Sequence, residues 1–356
     1  MTADKYYIMP REWRPHKRCW MAFVSSRNEA WGVLLQDVQQ EQARVANAIG
    51  SFEPVTMLAC PEDVPLVRKL CRPSIEVMEM EVDDVWIRDS GPTFVLGEKG
   101  GLAGVTWNFY SWGNKFDNRR DQGVAEQLMD RLGAPLLTAP IVCEGGAFHV
   151  DGAGTLITTE SCLLNENRNP GLTKTDVESA YRVLLGVNKV IWIPGCAQEP
   201  ITDGYVDGIC FFARPGLVVA QITDDPYDPE YKIMQENLRA LQLATDATGN
   251  RLDVIRILPP RYDYLQDKAE EFADSYVNCY LPNGGIVMAA FGDPVRDQDA
   301  LTAISKAMPA RKAVQLRIDA IASGGGGIHC MTQQEPAASA AISRPSQAVK
   351  CVEPGS

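Results

Sequence analysis

Apolar residues recur at roughly helical spacing in five stretches: Val33 to Ile49 (Val33, Leu34, Val38, Val45, Ile49), Val124 to Leu132, Val177 to Leu185, Tyr231 to Leu243 and Ala300 to Met308. Such spacing lays one apolar stripe along a helix, so each stretch predicts an amphipathic helix. Between them lie short runs rich in β-branched and other apolar residues: Val55 to Leu58, Ile75 to Met80, Thr155 to Thr158, Val190 to Ile193, Leu217 to Ile222, Leu252 to Leu258, Ile286 to Ala290 and Val314 to Ile318. These predict strands. Alternation of strand and helix ordinarily suggests a doubly wound parallel sheet.

A second pattern points elsewhere. A polar, mostly Gly-containing punctuation followed by strand-forming residues occurs five times: WIRDSGPTFVLG from Trp86, CEGGAFHVDGAGTLITT from Cys143, TDGYVDGICFFARPGLVV from Thr202, ADSYVNCYLPNGGIVM from Ala273 and SGGGGIHCMTQQEP from Ser323. The spacing, roughly 50 to 70 residues, is that of radial or stacked repeats whose units complete one another's core. Five ββαβ units in a ring would gather the five punctuations around one axis, making residues 1–336 one α/β domain. Chance recurrence of turns is the alternative. The Ala-, Ser- and Pro-rich stretch 337–356 lacks periodicity and reads as a loosely ordered tail.

Charge narrows the choice of partners. With 46 acidic against 34 basic side chains and a net charge of -12, the chain lacks the Lys/Arg field that nucleic acid demands. A small cationic substrate is compatible with this balance. No apolar run approaches the roughly 20 residues that span a bilayer, and the first residues lack a signal-peptide core, so no membrane partner and a cytoplasmic location are expected. Ten cysteines without a CxxC pair suggest reduced thiols, and the spacing of the three histidines, His16, His149 and His329, does not suit zinc. No metal or cofactor is expected.

Candidate chemistry sits in the punctuations. Cys330 follows Gly324 to Gly327, which permit close backbone approach and could present the thiol to a ligand. His329 would point to the opposite face of a strand and reads as a hydrogen-bonded core imidazole. The first punctuation carries Asp84, Trp86, Arg88 and Asp89, the second Glu144, the third Asp203, Tyr205 and Asp207. Asp84 and Asp203 read as turn caps or surface charges. In a ring, Asp89, Glu144 and Asp207 would face one cavity with Cys330. Three carboxylates and a thiol repel one another when the site is empty, and a planar guanidinium with its fork of donors would suit them. Trp112 is either a pocket wall or ordinary core.

The stretches MPREWRPHKRCWMAF, DDVWIRDSGPTFV, EGGAFHVDGAGTLITTESCLLNENRNP, TDGYVDGICFFARPG, TDDPYDPEY, SYVNCYLPNGGIV and GGGGIHCMTQQEP resemble the agmatine deiminases of the guanidino-group-modifying (pentein) superfamily, from about Met9 to Pro336. The resemblance implies a five-bladed α/β propeller, hydrolysis of agmatine to N-carbamoylputrescine and ammonia in polyamine synthesis, no cofactor, and assembly into homo-oligomers. It implies Cys330 as nucleophile, Asp89 and Asp207 as guanidinium-binding carboxylates, and Glu144 as a third acidic partner; Trp86 and Trp112 are separate candidates for substrate binding.

Three positions depart from the family pattern. Tyr205 stands where the family has its general acid–base His, Gly327 where it usually has Asn, and the segment between Leu258 and Asp274 is shortened at a place expected to shape the distal end of the pocket. A phenol, with an ordinary pKa near 10, donates a proton but is a poor base at neutral pH. An active deiminase, an amidino transferase and a guanidinium-binding protein of low turnover are therefore three readings, the first favoured by retention of Cys330, Asp89, Glu144 and Asp207. In the first, Tyr205 is expected to project toward the Cys330 sulfur from the same strand face as Asp207.

Overall fold

Helices form where the apolar stripes predicted them, with ends set by local caps. The computed structural model describes residues 6–267 and 269–338. Its longer helices are Leu35–Ile49, Val124–Leu132, Lys174–Leu184, Tyr231–Leu243 and Pro294–Ala307. The third begins ahead of its stripe because Thr173 and Asp176 cap it reciprocally. The fifth does so because the Asp293 carboxylate accepts from the N–H groups of Val295 and Arg296, with Pro294 at the first position. Val33 and Leu34 fall outside the first helix, in the 3-10 segment Glu29–Leu34, and Val33 is exposed.

The strands form five sheets with one recurring local order. Thr93–Gly97 pairs antiparallel with Leu102–Thr106, which pairs parallel with Leu136–Thr138 after the helix Val124–Leu132. Phe148–Val150, Thr155–Thr159 and Lys189–Ile193 repeat the scheme, and so do Cys210–Arg214, Leu217–Gln221 and Asp253–Ile257. In the next sheet the antiparallel partner shrinks to a bridge between Tyr280 and Val287, beside the parallel pair Gly285–Ala290 and Lys312–Arg317. The last unit uses both ends of the chain: Gln333–Pro336 pairs antiparallel with His16–Ala22, followed in parallel by Val55–Ala59 and Glu76–Glu79. The recurring unit is ββαβ, reduced at its leading strand in the fourth and extended by a second crossover in the last, because a parallel strand needs a crossover whereas an antiparallel one needs only a turn. The architecture is a five-bladed α/β propeller.

Joining the two ends of the chain places Glu335 inside the protein, where it accepts from Lys17 Nζ at 2.8 Å and from Trp20 Nε1 at 3.0 Å. The strands missed in the sequence, such as Phe148–Val150 and Gln333–Pro336, are short and lack alternation, being buried throughout. Their placement matters for the site. Four of the five punctuations run directly into the leading strand of a unit, and the fifth runs into the Tyr280 bridge. Asp89, Glu144, Asp207, Asn278 and Cys330 therefore occupy corresponding places in the five units. The tail 337–356 is described only at Ala337 and Ala338, and Cys351 lies outside the described residues.

Candidate active site

The glycine run before Cys330 is a packing device. A Cβ at Gly324 would collide with the Trp31 ring, one at Gly326 with the Trp86 ring, and one at Gly327 would lie 2.5 Å from Asn278 Oδ1. Only glycine lets the backbone lie this close to the Trp31 and Trp86 indoles, which contact each other with centroids 6.1 Å apart, and to the Asn278 amide. Asn278 holds the thiol, its Nδ2 donating to Cys330 Sγ at 3.1 Å and its Oδ1 accepting from His329 N at 2.9 Å. From the other side the Arg88 backbone N–H donates to the Cys330 carbonyl at 3.0 Å, and Arg88 Nε donates to the His329 carbonyl at 3.2 Å. The space that a side chain at Gly327 would need is filled by Asn278.

Cys330 Sγ lies 3.4 Å from Asp207 Oδ2. Asp207 sits on the 3-10 turn Val206–Gly208, so Tyr205 and Asp207 do not share a strand face as expected. Backbone in a turn does not alternate sides with period two. Both side chains nevertheless approach Gly146, where a Cβ would lie 2.6 Å from the Tyr205 ring and 2.9 Å from Asp207 Oδ2. Asp89, on the short helix Ile87–Ser90, accepts from Gly146 N at 3.0 Å and from Trp112 Nε1 at 2.9 Å. Trp112 is thereby both buried core and a wall that orients a carboxylate.

Glu144 is not the unpaired charge the sequence suggested. Arg168 Nε donates to both its oxygens at 3.0 Å, while Arg168 Nη1 reaches Asp203. Asp203, read as a surface charge or turn cap, is buried and also bonded to Lys115 and Asn167, because the folded chain brings three donors to it. Asp84 is likewise buried, accepting from Trp31 Nε1 at 3.0 Å, and burial moves its carboxyl up to about 6. The Tyr205 ring lies against Arg168, 6.0 Å from guanidinium carbon to ring centroid, and its buried hydroxyl faces Glu144, whose upward shift it opposes.

Electrostatics follow from this crowding. Burial, then Glu144 and Asp207, raise Asp89 to about 7. Burial raises Glu144 although Arg168 opposes the shift. The Cys330 thiol is held well above its ordinary value by burial and by the charges of Asp207 and Asp89, with the Gly327 backbone and Asn278 opposing. Burial, Asp89 and Glu144 push the Tyr205 phenol well above its usual range, making it a weaker acid than a free phenol.

A cavity of about 360 Å³ opens above the thiol. Cys330, Asp89 and Gly324 to Gly326 line it, together with the indoles Trp31, Trp86 and Trp112. Asp84, Asn118, Thr202 and Glu271 supply further polar groups, and no Lys, Arg or His is among its described lining residues. Glu271 comes from the shortened segment that was expected to shape the distal end. Glu144, Asp207 and Tyr205 do not line the cavity, although Asp207 touches the sulfur. Three residues that organise the site were not singled out from sequence: Glu12, Arg168 and Asn278. Each lies inside a quoted family-like stretch, but only spatial convergence reveals its contact.

A buried thiol with acidic neighbours, set where the five blades of an α/β propeller converge, defines a pentein of the guanidino-group-modifying type. The model of the Porphyromonas-type peptidyl-arginine deiminase family matches residues 8–336. The chain is 42% identical to the agmatine deiminase of Stutzerimonas stutzeri, with 94% of this chain and 96% of that one covered. It is 40% identical to the agmatine deiminase of Pseudomonas aeruginosa strain UCBPP-PA14, over 93% and 96%. Its structure matches that of the Enterococcus faecalis agmatine deiminase with a TM-score of 0.88 at 32% identity, covering 94% of this chain and 98% of that one. The chain belongs to the agmatine deiminase family, within the Porphyromonas-type peptidyl-arginine deiminases. No described helix is long and apolar enough to cross a membrane.

Proposed function

We propose that this protein hydrolyses agmatine to N-carbamoylputrescine and ammonia through a covalent amidino-thioether on Cys330. The observation that carries the reading is the cavity itself: a thiol and Asp89 at one end, indole walls, and no described basic side chain to pair with an α-carboxylate. Glu271 and Asp84 suit the distal ammonium of agmatine and disfavour arginine. Asp89 and Asp207 bind the guanidinium and Glu144 supports them. Trp86 and Trp112 enclose the alkyl chain. Arrival of a cation offsets the carboxylates that raise the thiol, so the substrate promotes its own attack by favouring the thiolate.

Incubation with a panel of guanidino compounds, reading ammonia and ureido product, tests this. Agmatine is expected to be turned over with kcat/KM about 100-fold above that of arginine, since one unpaired carboxylate in such a cavity costs a few kcal/mol. Equal rates on arginine would remove the substrate assignment, and no product from any compound would remove the deiminase.

Tyr205 supports a second, slower reading of the same site. With its phenol pushed above the ordinary range, Tyr205 cannot serve as the base that activates water. The amidino-thioether is therefore expected to accumulate, visible as an added amidino mass on the intact protein after mixing with agmatine. Tyr205→His is expected to speed decay of that adduct at least about tenfold. Rapid turnover of the wild type with no detectable adduct would show that the phenol is no obstacle.

A further inference from the structure

Behind Cys330 lies a chain of three buried ionisable groups to which the reaction above gives no joint role. His329 Nδ1 is 2.9 Å from Asp207 Oδ2, and its Nε2 is 3.0 and 3.2 Å from the two Glu12 oxygens. Asp207 Oδ2 is the same atom that lies 3.4 Å from Cys330 Sγ. With both flanking groups ionised, a ring that has a carboxylate oxygen at bonding distance from each nitrogen satisfies both by carrying a proton on each nitrogen, that is, as an imidazolium. Other charged or titratable groups also face this chain. Arg88 Nη1 is 3.6 Å from Glu12, and His149 Nε2 is 3.4 Å from Glu12, while His149 Nδ1 accepts from the Phe212 N–H at 3.3 Å. Accepting at Nδ1 makes Nε2 the donor toward Glu12.

The balance of these groups favours a charged His329. Burial and Arg88 lower it, but Glu12 and the bond to Asp207 outweigh them and the imidazole is raised. Burial would raise Glu12, yet His329, His149 and Arg88 hold it well below the carboxylate range. The pair is thus a fixed dipole whose positive end sits on Asp207.

We propose that Asp207 carries the protons of the Cys330 reaction and that His329 and Glu12 are the positioning pair that holds its carboxylate in place for that task. This rests on the proposed deiminase chemistry. The thiol S–H bond breaks and its proton passes to Asp207 Oδ2, while the sulfur electron pair forms the bond to the guanidinium carbon. One C–N bond then breaks, its nitrogen takes the proton from Asp207, and ammonia leaves an amidinium thioether. Water adds to that carbon as its proton goes to Asp207. The C–S bond breaks with its electron pair returning to sulfur, and the proton from Asp207 restores the thiol while the hydroxyl proton leaves to solvent and the ureido product forms. His329 stays protonated throughout, so its charge offsets Asp207 beside the nascent thiolate. A carboxylate is a weak base for water, so the second half is expected to be the slower one.

The test reads the thiol without requiring turnover. The pH dependence of Cys330 alkylation by iodoacetamide, followed by intact mass, is compared between the wild type and His329→Gln, which keeps a donor but loses the charge. The expected result is a midpoint about one pH unit higher, equivalent to about tenfold slower alkylation at neutral pH. With agmatine, kcat is expected to fall at least about tenfold while KM changes less than about threefold. An unchanged alkylation profile and kcat in folded His329→Gln would overturn the proposal. Should that variant not fold, Glu12→Gln is read by NMR of the His329 ring, which is expected to stay protonated to a higher pH in the wild type than in the variant. A neutral His329 in the wild type at neutral pH also overturns it. If the wild type makes no ammonia from any guanidino compound, the deiminase reading fails, whereas the alkylation profile still decides the pair's effect on the thiol.

Discussion

Replacing Cys330 with Ala or Ser leaves a folded protein with no measurable turnover of agmatine and no labelling by a haloacetamidine. The expected loss is at least about a thousandfold, because a thiolate supplies the bond that splits one difficult displacement into two easier ones. A hydroxyl at the same place has no comparable nucleophilicity. Folding should survive, since Cys330 is a small residue at the edge of the core and its sulfur bonds only Asn278 and Asp207. Haloacetamidine is the discriminating probe: it carries the cationic amidine that offsets Asp207 and Asp89, the charges that together with burial hold the thiol high. A neutral alkylating agent should label Cys330 more slowly than the amidine does. Cys196 is the partly exposed described cysteine and serves as the internal control. Labelling that persists in Cys330→Ala at another thiol would move the assignment, and Cys351 is the first position to check.

The largest stability effect is expected at Arg168. Its guanidinium is buried between Glu144 and Asp203, and Glu144 is fully buried. Arg168→Met keeps much of the volume and removes the charge, leaving buried Glu144 without its cationic partner while Asp203 keeps Lys115 and Asn167. Breaking a buried pair from one side costs about 3–5 kcal/mol, which urea unfolding at neutral pH should show. The pH dependence carries the sign. Glu144 is already raised in the folded protein, and losing Arg168 raises it further. A carboxyl whose folded value exceeds its unfolded value binds more protons when folded, so stability falls as pH rises from the unfolded value through the folded one. The deficit of Arg168→Met should therefore shrink on going from pH 8 toward pH 5. A loss below about 1 kcal/mol, or a deficit that grows on acidification, would show that Glu144 is neutral or otherwise paired.

What could be read along the chain and what could not divide by the range of the interaction. The helix Tyr231–Leu243 was legible to the residue, since an apolar stripe is a local property that needs only a neighbouring surface to pack on. The core strands Thr155–Thr159 and Gly285–Ala290 were legible for the same reason. Buried strands of three or four residues, such as Phe148–Val150 and Gln333–Pro336, carry too little pattern, and partners far away in the chain decide them. The recurring punctuations, with Cys330, Asp89, Glu144 and Asp207 at corresponding places, were visible because one structural unit repeats and its turn chemistry repeats with it.

The sequence by itself determined the family, the five-fold order of strand and helix, and that Asp89 and Asp207 accompany Cys330. Tertiary structure alone decided the charge balance there. Arg168 neutralises Glu144, Asp203 is buried against Arg168 and Lys115, and His329 bridges Glu12 and Asp207 across more than three hundred residues of chain. Tyr205 was expected on one strand face with Asp207, but the segment closes into a 3-10 turn beside Gly146 and does not extend as a strand. Residue type announces which charges a chain contains. Which of them cancel depends on distances of a few ångströms in a low-dielectric interior, and those are set only when the blades pack.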